Sequence, residues 1–124
     1  MVELRIHEDA RRLAYCDVFE GTPGDVNVFL LRPSQPSGWH RHDRQTDQFF
    51  VAFGCVMVGT WEDGEAPSYR ILRKGESVTI PPGTWHGYKA LGWGAELVMY
   101  LDRKYDPTDE HVTSFAEVPW SPPE

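Results

Sequence analysis

Two stretches of the sequence decide the fold, and they are Gly38-Trp39-His40-Arg41-His42-Asp43-Arg44-Gln45-Thr46-Asp47 and Pro81-Pro82-Gly83-Thr84-Trp85-His86. His40 and His42 are two residues apart, so on a β-strand both side chains project from the same face. Asp47 follows a polar stretch that can turn the chain back, and His86 belongs to a second hairpin. Three imidazoles and a carboxylate that converge in one pocket can bind a divalent metal, or they can transfer protons without one.

Strand signals dominate the rest of the chain. Short runs rich in β-branched, aromatic and other apolar residues alternate with glycine- and proline-containing turns. These runs are residues 26–31, 48–60, 69–72, 76–80 and 96–101. The only helical candidate is residues 8–13, which are weakly amphipathic. Many short strands with frequent turns predict an all-β sandwich or barrel that forms a single domain over residues 1–124.

Composition and charge restrict the possible partners. Apolar residues make up 40% of the chain and charged residues 25%, which is typical of a soluble globular protein. The net charge of −7 argues against nucleic acid or an anionic membrane as the main partner. The N-terminal stretch has no apolar signal core, so we expect a cytoplasmic protein. The five tryptophans, five tyrosines and six phenylalanines are explained by core packing or by aromatic walls around a small-molecule pocket.

The spacing of the two stretches resembles the paired sequence motifs of the cupin superfamily. The first motif covers residues 38–54 approximately and ends at Gly54, and the second covers residues 75–90 approximately. Asp47 stands where most cupins have a glutamate, and Ala90 stands where an asparagine usually follows the second-motif histidine. The resemblance implies a small jelly-roll β-barrel with both motifs at its mouth.

The same resemblance implies a set of metal ligands. In a metal-dependent cupin, His40, His42, Asp47 and His86 would bind Fe, Mn, Ni or Zn and leave open positions for a substrate. The geometry of the site, rather than affinity alone, selects among these metals. An oxygenase, an isomerase or a lyase is compatible with this alternative.

A closer resemblance is to the sugar-nucleotide branch of the cupins, which includes dTDP-4-dehydrorhamnose 3,5-epimerases and dTDP-4-keto-6-deoxyhexose 3,4-ketoisomerases. It is carried by residues 80–88, 95–100 and 104–110. This resemblance implies that His40 is a catalytic base and that His42 matches a second histidine of the ketoisomerases. It also implies that Tyr100 is the acid tyrosine, or that Met99 occupies that position if the alignment slips by one residue.

The implied chemistry is proton removal from a carbon beside a ketone, as in an isomerase of the racemase and epimerase class. A histidine is a suitable base, particularly when a carboxylate orients it, and we expect Asp47 to orient His40. Donors such as His86 would stabilise the enolate oxygen. This reaction needs no cofactor, and its substrate would be a dTDP-4-keto sugar or a similar keto compound.

Further residues near the motifs are candidates for substrate binding. Arg41 and Arg44 could hold a pyrophosphate, and Trp39 and Trp85 could stack on a sugar or base. The complete set of expected substrate contacts is Trp39, Arg41, Arg44, Trp85, His86 and Tyr105. A third alternative is a non-catalytic small-molecule binder that keeps the pocket without the chemistry. Exposed sheet edges predict a homodimer built through β-strands.

Overall fold

The computed structural model describes residues 5–123, and within them it contains nine β-strands and a 3-10 turn at Pro107–Asp109. The strands are β1 (Arg5–Glu8), β2 (Arg12–Cys16), β3 (Asp25–Leu31), β4 (Trp39–Arg41), β5 (Asp47–Trp61), β6 (Ser68–Arg73), β7 (Ser77–Ile80), β8 (Trp85–Leu101) and β9 (His111–Thr113). The all-β expectation is confirmed. Across the described residues, no helix has the length and hydropathy needed to cross a membrane.

All nine strands belong to one continuous hydrogen-bonded sheet, which folds over along its two longest strands, β5 and β8, into two halves that we call the first and the second sheet. β5 and β8 pair with each other antiparallel from Asp47↔Leu101 to Trp61↔Trp85. The first half of β5 and the second half of β8 join β7, β3, β2 and β1 in the first sheet. The other halves join β6, β4 and β9 in the second sheet. The two sheets curl around a common core, which is the jelly-roll barrel that the motifs predict.

The change from one sheet to the other depends on a glycine. The register between β5 and β8 shifts between Val51 and Cys55, so β5 bends there. Gly54 has a φ of +80°, and a Cβ at this position would lie 2.5 Å from the carbonyl oxygen of Gly94. The final glycine of the first motif therefore allows the strand to bend where no other side chain fits.

The core consists of the inward-facing side chains of both sheets. Residues alternate between buried and more exposed positions along β3 and along the second half of β8, as expected for strands with one face turned inward. The largest fully buried apolar side chains in this cluster are Phe49, Val51, Val56, Val58, Leu72 and Leu97.

The C-terminal segment covers the outer face of the second sheet. The indole N–H of Trp39 donates to the carbonyl oxygen of Val118 at 2.7 Å, and the Trp120 ring lies 5.4 Å from the Trp39 ring. Gly59 and Gly87 pair directly opposite each other, and a Cβ on either would meet the Trp39 ring. The absence of a side chain at Gly59 and Gly87 therefore leaves room for the Trp39 ring against the second sheet.

The predicted helix at residues 8–13 is wrong. Glu8 pairs with Leu13 in a β-hairpin, and the Asp9 carboxylate accepts the backbone N–H groups of Arg11 and Arg12 at 2.8 and 3.1 Å. An aspartate that bonds the backbone two and three residues ahead stabilises a turn in competition with a helix. This local hydrogen bonding explains the difference.

Candidate active site

A cavity of about 440 Å³ lies inside the barrel. Its wall is formed by the inner faces of β1, β2 and β3, by β4 and the start of β5, by both ends of β8, and by the segment that precedes β9. His40, His42, Asp47, His86 and Tyr105 line it, as the sequence predicts. A volume of this size is in the range of small-molecule sites.

Three residues of the two motifs form a compact cluster. One oxygen of Asp47 lies 3.0 Å from Nε2 of His86 and 3.5 Å from Nε2 of His42. His42 follows β4, Asp47 begins β5 and His86 is the second residue of β8, so three elements deliver one side chain each. All three residues are buried. The structure therefore brings together three of the four groups that the sequence places in one pocket.

The backbone fixes how the two imidazoles are protonated. Nδ1 of His42 bonds to the carbonyl oxygen of Asp109 at 2.9 Å, and Nδ1 of His86 bonds to that of Thr84 at 3.1 Å. Because a carbonyl oxygen only accepts, each Nδ1 carries a proton. A neutral ring then presents a lone pair at Nε2, which repels the oxygen of Asp47. The cluster is satisfied when a cation lies at Nε2, either a second proton or a metal ion.

The electrostatics of the cluster favour the charged forms. Burial lowers the pKa of His42, but the hydrogen bond and the charge of Asp47 outweigh it, so the pKa is raised. Burial raises the pKa of Asp47, but hydrogen bonds from His42, His86 and Gln45 hold that pKa well below its ordinary value. The site is therefore built around a carboxylate that stays ionised and attracts a cation.

The three residues fit a divalent transition metal. Ligand atoms of His42, Asp47 and His86 lie within 4.8 Å of one another, and two imidazoles with one carboxylate are a common donor set for such ions. The carbonyl acceptors behind both imidazoles supply the outer-shell contacts that orient histidine ligands. His40, expected as a fourth ligand, lies outside this cluster.

His40 is paired with a different carboxylate from the one we expected. Its Nδ1 lies 3.0 Å from Oε1 of Glu110, and the hydroxyl of Tyr105 donates to Oε2 of Glu110 at 2.8 Å. The expectation that Asp47 orients His40 is corrected, since Asp47 contacts His42 and His86 instead. With Nδ1 committed to Glu110, Nε2 of His40 is the nitrogen left for a ligand.

A second carboxylate absent from the sequence prediction holds the loop between β4 and β5. Asp109 is buried, and its side chain accepts the backbone N–H groups of Asp43, Arg44 and Gln45 at 2.9 to 3.2 Å. Gln45 in turn donates its amide N–H to the second oxygen of Asp47 at 2.5 Å. This chain of contacts positions the carboxylate of the cluster.

Tyr100 does not reach the cavity. Along β8 the residues Ala95, Leu97, Met99 and Leu101 are buried, and Met99 lines the cavity. Tyr100 lies between two of these positions, so its side chain projects from the outer face of the sheet. Met99 therefore occupies the position that the resemblance gives to the acid tyrosine. A thioether has no acidic proton, so Met99 cannot act as the acid.

Four of the expected substrate contacts lie outside the cavity. Trp39 is fully buried beneath the C-terminal segment, and Trp85 stacks on Trp61 with ring centroids 5.0 Å apart. Arg41 lies over the Trp85 ring and pairs with Asp63, while Arg44 pairs with Asp106. Trp39, Arg41 and Trp85 are adjacent to a site histidine on β4 or β8, so the alternation of faces turns them away from the cavity, and Arg44 lies in the loop between β4 and β5.

The two carboxylates that sequence reasoning missed come from one segment. Asp109 and Glu110 precede β9, and they contact residues 64 to 70 positions earlier. The only local signal is the acidic, proline-bearing run at residues 106–110. Nothing in such a run indicates which carboxylate meets which histidine.

A model of the cupin domain matches residues 27–101, more than half of the chain. The chain therefore belongs to the cupin family. It is 31% identical over 109 residues to a Haloferax volcanii protein described as a probable low-salt glycan biosynthesis epimerase, Agl13, with 77% of this chain and 70% of that protein covered.

Two solved structures share the fold. The capsular polysaccharide assembling protein CapF from Staphylococcus aureus superposes with a TM-score of 0.80 and 22% identity over 92% of this chain. Oxalate decarboxylase from Bacillus subtilis gives a TM-score of 0.77 and 16% identity over 89% of the chain. The chain spans about a third of the length of these proteins, 32% and 30% respectively.

Proposed function

We propose that the protein is an isomerase of the epimerase or ketoisomerase type that moves a proton at a carbon beside the ketone of a sugar nucleotide. The observation that carries this proposal is the pair formed by His40 and Glu110 in the wall of the cavity. The similarity to a glycan biosynthesis epimerase supports a keto sugar as the substrate. The cavity of about 440 Å³ is large enough for the sugar.

His40 acts as the base in this reaction. Its Nε2 takes the proton from the carbon beside the ketone, and the electron pair of the broken C–H bond forms an enolate. Glu110 accepts the Nδ1–H of the ring, so it fixes the tautomer and stabilises the imidazolium that forms. Protonation of the former carbonyl carbon, with the hydroxyl proton of the first carbon lost and the enolate oxygen protonated, moves the ketone. Protonation of the first carbon by solvent on the face opposite His40 inverts that carbon.

The cluster of His42, Asp47 and His86 stabilises the enolate oxygen. Asp47 raises the pKa of His42, and the imidazolium that this favours places a positive charge near the enolate oxygen while its own N–H groups donate to Asp47 and to the carbonyl oxygen of Asp109. A divalent metal held by the same three side chains would supply Lewis acidity towards the ketone oxygen. In either form the cluster offers positive charge beside the base.

The cluster also favours a second candidate function, that of a metal-dependent cupin with His42, Asp47 and His86 as ligands. Elemental analysis of protein purified without chelator distinguishes the metal-bound form of the cluster from the protonated, metal-free form. A transition metal near one equivalent, lost in an Asp47→Ala variant, supports the metal form. Protein that stays free of metal after reconstitution with Fe, Mn, Ni and Zn salts rules that form out.

A non-catalytic binder would need no carboxylate partner for His40. Glu110 provides that partner at 3.0 Å from His40. A base with an oriented tautomer is not needed for binding alone, so its presence favours catalysis.

The test is deuterium exchange in heavy water with a dTDP-4-keto sugar. Wild-type protein should incorporate deuterium beside the ketone, and a His40→Ala variant should lose at least about a hundredfold of this rate. His111→Ala is a matched control, because His111 pairs with Asp43 in a similar way but lies outside the cavity. Equal exchange in wild type and His40→Ala would reject the proposal.

We also propose that the partner of this chain is a second copy of itself. On the outer face of the first sheet, the register places Ile6, Tyr15, Val28, Val98 and Phe50 in one row across five strands. Residues that pair directly opposite share a face, so the row is continuous. Ile6 is 59% exposed and Phe50 43% exposed. The row contains no charged side chain.

The size and charge of this apolar face support self-association. At about 4.8 Å between strands, the row is about 20 Å long. Val26 extends it on one side, and Leu13 and Leu30 extend it on the other, where Glu8 and Glu96 lie at the ends of the flanking row. The face is on the order of 500 Å², which approaches the roughly 800 Å² that each partner buries in a stable dimer. Because each chain carries a charge of −7, two copies meet most easily where neither presents a charge.

A further inference from the structure

Arg12 differs from the other arginines of the cavity region in its surroundings. It begins β2, lines the cavity, and its guanidinium lies 4.9 Å from the centre of the Phe29 ring. Arg5, which also lines the cavity, pairs with Asp25, and Arg11 pairs with Asp9 outside it. Among the residues that the structure describes, the Arg12 guanidinium is paired with no carboxylate.

This cation is partly withdrawn from water. Arg12 is half-buried, and its Nε is a buried atom that lacks a hydrogen-bond partner among residues 5–123. A charged group in such a place is costly unless an opposite charge compensates it. The Phe29 ring holds the guanidinium in place through a cation–π contact but supplies no acceptor for its N–H groups.

Tyr88 adds a second donor at the same point. An N–H of Arg12 donates to the Tyr88 hydroxyl at 2.6 Å, and this is the hydrogen bond that the structure gives for that hydroxyl. Burial raises the pKa of Tyr88, so the phenol keeps its proton. The hydroxyl oxygen therefore accepts from Arg12 while its own O–H group is available to an acceptor in the cavity.

The position of this pair relates it to the reacting centre. Tyr88 follows His86 by two residues on the inner face of β8, about 7 Å further along the strand. The Phe49 ring contacts both side chains, with ring centroids 5.9 Å from His86 and 5.8 Å from Tyr88. A ligand anchored at Arg12 therefore lies beside the histidine cluster in the same cavity.

We propose that Arg12 and Tyr88 form an anion subsite that binds a phosphoryl oxygen of the substrate. The planar fork of a guanidinium matches the geometry of phosphate, and the Tyr88 hydroxyl supplies a further donor. The proposal rests on the proposed function, since it names the part of a sugar nucleotide that this end of the cavity holds. It also replaces Arg41 and Arg44, which pair with carboxylates outside the cavity.

Isothermal titration calorimetry with pyrophosphate tests the subsite by binding alone, without conversion of a substrate. Wild-type protein should bind pyrophosphate, and added salt should weaken the binding. Arg12→Gln should weaken it by at least about tenfold, and Tyr88→Phe by a few-fold. Arg11→Gln is the matched control, because it removes a neighbouring arginine that does not line the cavity, and it should bind as wild type.

Two further probes identify the source of the phosphoryl group. Thymidine diphosphate and glucose 1-phosphate are titrated into wild type and Arg12→Gln. A larger loss of affinity for thymidine diphosphate would show that the subsite binds a nucleoside diphosphate, and a larger loss for glucose 1-phosphate would show that it binds a sugar phosphate. If Arg12→Gln does not fold, Arg12→Lys keeps the charge without the fork and should still lose several-fold.

Two results would overturn the proposal. One is wild-type protein that binds none of the three probes, and the other is unchanged binding in the folded Arg12 variants. His40→Ala separates this proposal from the proposed function, because it should abolish deuterium exchange and leave the binding of pyrophosphate intact. Absent exchange together with Arg12-dependent binding would reject the proposed reaction alone.

Discussion

At the scale of single residues, the two histidines of the HxH pair have different partners although their side chains share one face. His42 belongs to the cluster with Asp47 and His86, while His40 pairs with Glu110. Spacing predicts that the pair points into the cavity, but the hydrogen-bond acceptor behind each ring decides what each one does. The proposed division into a base and a cation site depends on Glu110.

Glu110→Gln should lower the rate of deuterium exchange without a comparable change in KM. The amide can still accept the Nδ1–H of His40 but carries no negative charge, so the imidazolium that forms is less stable. We expect kcat to fall about ten- to a hundredfold. Steady-state kinetics on the keto sugar measure this, and an increase in KM at constant kcat would show that Glu110 binds substrate instead.

Glu110 should also make the stability depend on acid pH. The hydrogen bond from His40 is the main cause that lowers the pKa of Glu110 from 4.5 to about 2. Because the folded pKa is lower than the unfolded one, the stabilisation is complete above about pH 4.5 and is lost as the pH falls towards 2. The difference in free energy of unfolding between wild type and Glu110→Gln should therefore shrink over that interval. Urea unfolding at several pH values tests this, and a constant difference would contradict it.

At the scale of elements, the loop between β4 and β5 takes its shape from a carboxylate far along the chain. Asp109→Ala removes the acceptor of three backbone N–H groups, and Asp109 is buried. Hydrogen bonds to a charged group contribute about 1.5–3 kcal/mol each, so we expect a loss of about 3 kcal/mol or more in unfolding free energy. Asp106→Ala, which removes an exposed cap of the 3-10 turn, should cost about 1 kcal/mol or less. Equal losses in urea unfolding would show that the loop does not depend on Asp109.

The packing of the Trp39 ring behind β4 depends on a glycine at position 87. A Cβ at Gly87 would lie 3.1 Å from the Trp39 ring, so Gly87→Ala should displace that ring and cost about 1–3 kcal/mol. Gly38→Ala is the control, because a Cβ there meets nothing within 4 Å. Near-ultraviolet circular dichroism reports the tryptophan environment, and an unchanged spectrum with unchanged stability in Gly87→Ala would contradict this account.

At the scale of the whole molecule, the two sheets differ in what covers their outer faces. The C-terminal segment lies on Trp39 and covers the second sheet, whereas the row from Ile6 to Phe50 on the first sheet has no cover within the described residues. Packing of that face against a second copy removes its apolar surface from water.

Phe50→Glu should prevent formation of the proposed dimer and leave a monomer. The new carboxylates would face each other across the interface, and charges in an apolar contact are costly. Trp93→Glu is the control, because Trp93 is 98% exposed and lies outside the row, so its replacement should leave the dimer intact. Sedimentation velocity measures both, and a wild-type monomer at high concentration would reject the proposed partner.

Much of the site was predictable because it depends on local spacing. His42, Asp47 and His86 occupy fixed positions in two motifs that form strands and turns, and Gly54, Gly75 and Gly83 of those motifs have the positive φ angles that glycine adopts readily. Tyr100 shows the limit of this reasoning, since a shift of one residue along a strand moves a side chain to the other face. The prediction that Trp39, Arg41 and Trp85 contact the substrate is wrong for the same reason, since each is adjacent in sequence to a histidine of the cavity.

The sequence by itself determined the fold class, the cavity and the meeting of three motif side chains, because strand period and turn chemistry are local properties of the chain. Only the tertiary structure decided the partners of those side chains. Glu110, Asp109, Arg12 and Tyr88 reach the site from separate strands and loops, and contacts between distant segments depend on how the two sheets close around the core. The tertiary structure alone pairs His40 with Glu110 and leaves Arg12 without a carboxylate partner among the described residues.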